Sequence, residues 1–220
     1  MHETVQNLVN IQKSIKSKLL DFKQGSRIPK IIAVSKTFKL EHIMPLIYHG
    51  HVDFGENKVQ EAIDKWCDVK TNNKSIKLHL IGKLQTNKVK LAVKFFDFIH
   101  SLDSEKLAKK IVDEQKKQNL RPKIFIQINI GNEKQKSGIM KNNIKEFYNY
   151  CKSLDLDIIG TMCLPPFNED SEEYFAEMKI LNENLKLKEL SMGMSSDYLN
   201  AIKYNSSYLR IGSNIFGHRA

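Results

Sequence analysis

Lys123-Ile124-Phe125-Ile126-Gln127-Ile128-Asn129-Ile130 is the clearest strand in this chain. It is rich in isoleucine, with Phe125 among them and no glycine or proline, and has the length of one strand. Working outward toward the C-terminus, helical patterning follows over residues 142–154, a strand over 157–162 and a helix over 171–184. A strand over 189–192, a short helical segment over 198–204 and a last strand over 208–211 complete that half. Toward the N-terminus the same alternation runs backward. It gives a helix over 104–119, a strand over 96–101, a helix over 87–95, a strand over 78–82 and a helix over 57–66. A strand at 52–54, a helix from Leu40 closed by Gly50 and a strand over 31–35 precede these. A leading helix over 3–22 carries its apolar stripe on Val5, Leu8, Ile11, Ile15 and Leu19.

Eight strands, each trailed by a helical pattern, predict a parallel α/β architecture. The count suits a single (β/α)8 TIM barrel over residues 1–220, with the N-terminal helix placed to cap its bottom. An open, doubly wound sheet is the competing topology. It lacks support, because no strand is followed by a Gly-rich dinucleotide-binding turn. No linker, repeat or low-complexity stretch marks a second domain.

Composition excludes several classes. Hydrophobic residues make up 41% and charged residues 27%, as in ordinary globular chains. No apolar run nears the roughly 18 residues of a membrane span. The first residues are polar and helix-periodic, without an apolar signal core, so the expected location is cytoplasmic and no membrane partner is expected. Cys67, Cys151 and Cys163 are odd in number and widely spaced, which predicts neither a disulfide framework nor a zinc site. No Asp, Glu or His cluster has ligand spacing, so no metal is expected. The net charge of +10 comes from dispersed lysines, with only Arg27, Arg121, Arg210 and Arg219 as arginines. With no dense basic block, no nucleic-acid partner is expected; a positive field instead draws in small phosphorylated anions.

In α/β barrels the chemistry sits where the strands end. Lys36 follows the first strand, where partial desolvation favours a neutral, nucleophilic amine able to form an imine with an aldehyde. Gly193, Ser195 and Ser196 follow the seventh strand, and Gly212-Ser213 the eighth. Their backbone N–H groups and hydroxyls suit an anion-binding nest. Arg210 ends the apolar run Tyr208-Leu209-Arg210-Ile211, and a buried arginine needs a partner, which a ligand ring nitrogen or phosphate would supply. His79 and His100, on the third and fourth strands, read as hydrogen-bonded core residues in preference to catalytic bases.

With these residues in hand, the chain resembles the pyridoxal phosphate homeostasis proteins. The resemblance is carried by Ala33-Val34-Ser35-Lys36-Thr37, Phe54-Gly55-Glu56-Asn57, residues 79–88 (HLIGKLQTNK), Gln127-Ile128-Asn129-Ile130, Lys136-Ser137-Gly138-Ile139, Ser191-Met192-Gly193-Met194-Ser195 and residues 210–217 (RIGSNIFG). These stretches occur in order and span nearly the whole chain. The resemblance implies a barrel like the N-terminal domain of alanine racemase, with pyridoxal 5′-phosphate held as a Schiff base on Lys36. It implies that Arg210 faces the pyridine nitrogen. Gly212, Ser213 and Ser195 would hold the phosphate, while Asn57 and Met194 line the site. The family commonly has Thr where Ser213 stands, and both supply a hydroxyl and an N–H. Lys136 is a candidate second acceptor. The implied role is intracellular cofactor homeostasis and delivery to apo-enzymes with little or no catalysis; a weak enzyme such as an amino-acid racemase is the alternative. Racemases of this fold add a β-rich domain bringing a tyrosine base from a partner subunit. No such domain is expected after Ala220, and a monomer is therefore expected.

Overall fold

The computed structural model, which describes residues 1–22 and 27–217, closes the strands into one ring. The strands are β1 (Lys30–Val34), β2 (Asp53–Glu56), β3 (Lys77–Leu80), β4 (Phe98–Leu102), β5 (Lys123–Asn129), β6 (Ile139–Met140), β7 (Ile158–Cys163), β8 (Glu189–Met194) and β9 (Tyr208–Ile211). The helices are α1 (Glu3–Asp21), α2 (Leu40–Tyr48), α3 (Val59–Asn72), α4 (Val89–Phe95), α5 (Glu105–Gln118), α6 (Ile144–Ser153), α7 (Ser171–Asn184), α8 (Tyr198–Lys203) and α9 (Ser213–Phe216). Every pairing is parallel: β1 lies between β9 and β2, then β3, β4, β5, β7 and β8 follow, and β8 returns to β9. The expected eight-stranded barrel is the fold. Arg219 lies outside the described residues.

Strand alternation builds two cores. On β5, Ile124, Ile126 and Ile128 face the helices, while Phe125 joins Ile32, Phe98, Met162 and Tyr208 inside the barrel. Full burial of each such side chain contributes about 1.5–3 kcal/mol. Gln127 and Asn129 share the parity of Phe125, and their amides bond the carbonyls of Ser137, Glu133 and Lys136, tying the following loop over the barrel. On β1 the same parity turns Ile31 and Ala33 outward and Ile32 inward, so Val34 and then Lys36 reach the cleft above.

Three features depart from the sequence reading. Residues 53–56 form β2, which runs two residues past the expected strand end at Phe54. Gly55 points inward, where a Cβ would lie 2.8 Å from Ile32 Cγ2, so the glycine serves close packing. The two-residue β6 was not anticipated, and it pairs with Ile128 and Asn129 outside the ring. Finally, α1 does not cap the bottom of the barrel; it packs beside α2, α8 and α9, with Val5, Leu8, Ile11 and Ile15 in the layer between helices and sheet. The reason is that α9 has only 4 residues, too few to cover the seam between β9 and β1, and α1 supplies the missing outer helix. No helix among the described residues is long and apolar enough to cross a membrane.

Candidate functional site

A cleft of about 1120 Å³ opens at the C-terminal ends of the strands, and Lys36, Asn57, Met194, Ser195, Arg210, Gly212 and Ser213 all line it. Lys36 is half-buried in the turn leaving β1. That turn is pinned from α3. Thr37 N–H donates to Glu61 Oε1 at 2.7 Å, and Lys65 Nζ donates to the Ser35 carbonyl at 2.9 Å. Behind them Glu56, fully buried, accepts from the Ser35 hydroxyl at 2.7 Å, Trp66 Nε1 at 2.9 Å and Lys65 Nζ at 3.0 Å. Thr37 sits at φ 69°, a costly conformation for a β-branched residue that persists only where the surroundings enforce it. Burial works against the Glu61 charge, but the Thr37 N–H and the Lys65 ammonium hold its carboxyl below the usual range.

The other wall comes from the turns after β8 and β9. Gly193 has φ +91°, and a Cβ there would stand 2.6 Å from Ala201 Cβ, so α8 closes down on β8 only because this position is bare. Beyond it, Ser195 Oγ receives the N–H of Gly212 at 3.3 Å and of Asn214 at 3.4 Å, while Asn214 Nδ2 donates to the Ser195 carbonyl at 2.9 Å. Two backbone donors thus converge on one oxygen position, the arrangement an anionic oxygen needs. Met194 N–H donates to Asp197 Oδ1 at 2.6 Å, and burial raises the Asp197 carboxyl.

Arg210 forms the floor of the cleft. Its guanidinium donates to the Ser191 carbonyl at 2.5 Å, the Ser191 hydroxyl at 2.7 Å and the Cys163 carbonyl at 2.7 Å. Burial lowers its pKa, yet an arginine stays protonated. The expectation that this buried cation depends on a ligand for partners is therefore corrected, because inward-facing protein oxygens supply them. Lys136 lines the same cleft, ion-paired with Glu133 and donating to the Pro165 carbonyl at 3.3 Å. His79 and His100 are core residues: their rings stack on Phe98 and Phe125 inside the barrel, each with centroids 4.2 Å apart.

Residues 12–220 match the alanine racemase N-terminal domain family. The pyridoxal phosphate homeostasis protein of Pasteurella multocida is 37% identical over 226 residues, covering 97% of both chains. That of Aquifex aeolicus is 35% identical and covers 89% of this chain and 90% of its own. This chain belongs to the pyridoxal phosphate homeostasis protein family. PipY of Synechococcus elongatus, solved both without PLP and with PLP bound, is 31% identical at a TM-score of 0.81, covering 92% of this chain and all of its own. Alanine racemase of Clostridium difficile, at 17% identity and a TM-score of 0.72, shares the fold. This chain covers 57% of that racemase.

For this homeostasis-family chain, the sequence reading passed over two parts of the cleft. The loop after β7, Leu164-Pro165-Pro166-Phe167, lines one side. Its paired prolines, which cannot extend a strand, were the available signal. Asn214, the second backbone donor to Ser195, was also not singled out. Its position beside Gly212-Ser213 was the only hint.

Proposed function

We propose that the protein binds pyridoxal 5′-phosphate as a Schiff base on Lys36 and serves intracellular homeostasis of that cofactor, holding it and passing it to apo-enzymes with little or no turnover. One observation carries this reading: an amine, a buried guanidinium and a converging set of anion donors share one cleft. The donor set fits the cofactor's three handles, and the cleft has the volume of a small-molecule site. When bound, the cofactor supplies an electrophilic aldehyde carbon and an electron-withdrawing ring.

Lys36, held by the clamp on Ser35 and Thr37, presents its Nζ to the aldehyde carbon. Ser195, Gly212, Ser213 and Asn214 receive the phosphate, with Ser195 Oγ giving up its amide donors to the incoming oxygen. Arg210 faces the ring nitrogen. Because a guanidinium does not release its proton, the ring stays a weak electron sink, which supports storage over catalysis. Asn57 and Met194 bound the ring sideways. No tyrosine or histidine is among the described residues lining the cleft, whose carboxylates are Glu169, Asp170 and Asp197. For Lys136 to act as a second acceptor, its ion pair with Glu133 must first open. We place the protein in the cytoplasm as a monomer.

The test is to load the purified protein with pyridoxal phosphate, reduce it with borohydride and map the modified peptide. The adduct is expected on Lys36, and Lys36→Ala is expected to lose both the adduct and the absorbance band. A band that survives Lys36→Ala overturns the covalent reading. Rapid loss of chirality in a panel of L-amino acids overturns the storage role.

A further inference from the structure

A column of polar side chains climbs the inside of the barrel to the floor of the cleft. Asp53 Oδ1 lies 3.0 Å from His79 Nε2, and His79 Nδ1 lies 3.0 Å from His100 Nε2. His100 Nδ1 is 2.9 Å from Ser191 Oγ, which accepts from Arg210 at 2.7 Å. The five residues come from five strands, β2, β3, β4, β8 and β9. His79, His100 and Ser191 are wholly buried, and Asp53 and Arg210 nearly so.

The two ends set the direction of every bond between them. A guanidinium only donates and a carboxylate only accepts. Ser191 therefore accepts from Arg210 and sends its own proton to His100 Nδ1. His100 then donates from Nε2 to His79 Nδ1, and His79 donates from Nε2 to Asp53. Both rings are neutral and protonated on Nε2, consistent with burial pushing both imidazoles below their ordinary value. The opposite order would set a ring lone pair against the carboxylate. Bonds aligned head to tail polarise one another, so Asp53 acts on the guanidinium without touching it.

Simple filling of the barrel does not account for the column. Ile32, Phe125 and Met162 fill the same interior, and polar groups there carry a desolvation cost unless each is bonded. We propose that Asp53, His79, His100 and Ser191 are positioning residues for Arg210, fixing its guanidinium and balancing its charge from within the barrel so that its uncommitted N–H groups meet the ring nitrogen of pyridoxal phosphate. This rests on the reading of Arg210 given under the proposed function. Three of the guanidinium's N–H groups are committed to Ser191 and Cys163, which leaves the others to the cleft that Arg210 lines.

The experiment measures binding of pyridoxal 5′-phosphate and of its 1-deaza analogue, in which C–H replaces the ring nitrogen. The proteins are the apo wild type, Asp53→Asn, Ser191→Ala and the double variant, each checked for native circular dichroism. The wild type is expected to prefer the nitrogen-containing ligand. Each single variant should weaken that ligand about fivefold, the worth of about one hydrogen bond. The double variant should lose no more than either single, because the column is already broken, and binding of the deaza analogue should not move. A general packing defect would instead weaken both ligands alike, and independent effects would add; either result overturns the proposal. A wild type without preference for the ring nitrogen overturns the reading of Arg210 and the proposal with it. A preference that the variants leave unchanged overturns the column alone.

Discussion

Acidification from pH 7.5 to 5.5 should destabilise the protein through His79 and His100 before most carboxylates begin to titrate. Both imidazoles are completely buried. Burial lowers the pKa of His79 against the opposing pull of Asp53, and burial, with help from His79 and Arg210, lowers that of His100. Their unfolded value is about 6.5, as is that of His51, which burial also lowers, so the unfolded chain takes up protons that the folded chain resists. The sign follows: stability is present above pH 6.5 and is lost as pH falls toward the folded values. Over this window a histidine that stays neutral in the fold removes at most about 1.4 kcal/mol, a sizeable part of a typical 5–15 kcal/mol. Asp53 and Glu61, both held below the usual carboxylate range, lose their contributions only at lower pH, and Asp197, raised by burial, acts in the opposite direction. Urea midpoints measured at several pH values with a constant m-value give the slope directly. His100→Gln should reduce the loss measurably. A stability that stays flat from pH 7.5 to 5.5, or a slope unchanged in His100→Gln, refutes the reasoning.

Other substitutions separate the supports of the site. Glu56→Ala strands the Trp66 N–H and leaves Lys65 with only the Ser35 carbonyl and Glu61, and should cost about 1–3 kcal/mol in denaturant titrations. It should also slow borohydride-trapped loading at Lys36, because the Ser35–Thr37 turn loses its anchor. Gly193→Ala forces a Cβ to 2.6 Å from Ala201 Cβ at a positive φ, and should lower the melting temperature through a loss of about 1–3 kcal/mol. Phe125→Ala opens a void in the inner core and should cost about 3–5 kcal/mol, and the His100 ring signal in NMR should shift as its stacking partner disappears.

Much of the fold was legible because its signals are local. The run at 123–130 declared a strand, and the repetition of strand and helix declared a parallel sheet. Even the two faces of β5 are written there, with isoleucine at 124, 126 and 128 against Phe125, Gln127 and Asn129 between them. What stayed illegible depends on distant partners. Gly55 falls past the expected strand end until Ile32 is seen packed against it. The position of α1 depends on how short α9 is. At the site, Lys36 was legible because strand parity and a strand end are local features. The clamp from Glu61, 24 residues from Thr37, and Lys65, 30 residues from Ser35, was not. Nor was the link from His100 to Ser191, 91 residues apart, because nothing local in the sequence records which distant residues meet.

The three handles of the site are supported from different directions, and this bears on what the protein can do with a bound aldehyde. The Lys36 turn is held from the helix side of the sheet, by α3 and the buried Glu56. Arg210 is held from the barrel interior, by a column ending on Asp53. The donors around Ser195 are held at the rim, by the turns after β8 and β9. A defect in one support need not spread to the others, so phosphate capture, ring recognition and covalent attachment should fail separately under mutation. Such separability suits a holder that must release its load, since opening the rim donors lowers affinity without dismantling the amine or the guanidinium. An enzyme committed to fast turnover needs a further group, a base poised over the bound substrate, and Asp197, a lining carboxylate whose pKa burial raises, is already engaged by the Met194 N–H.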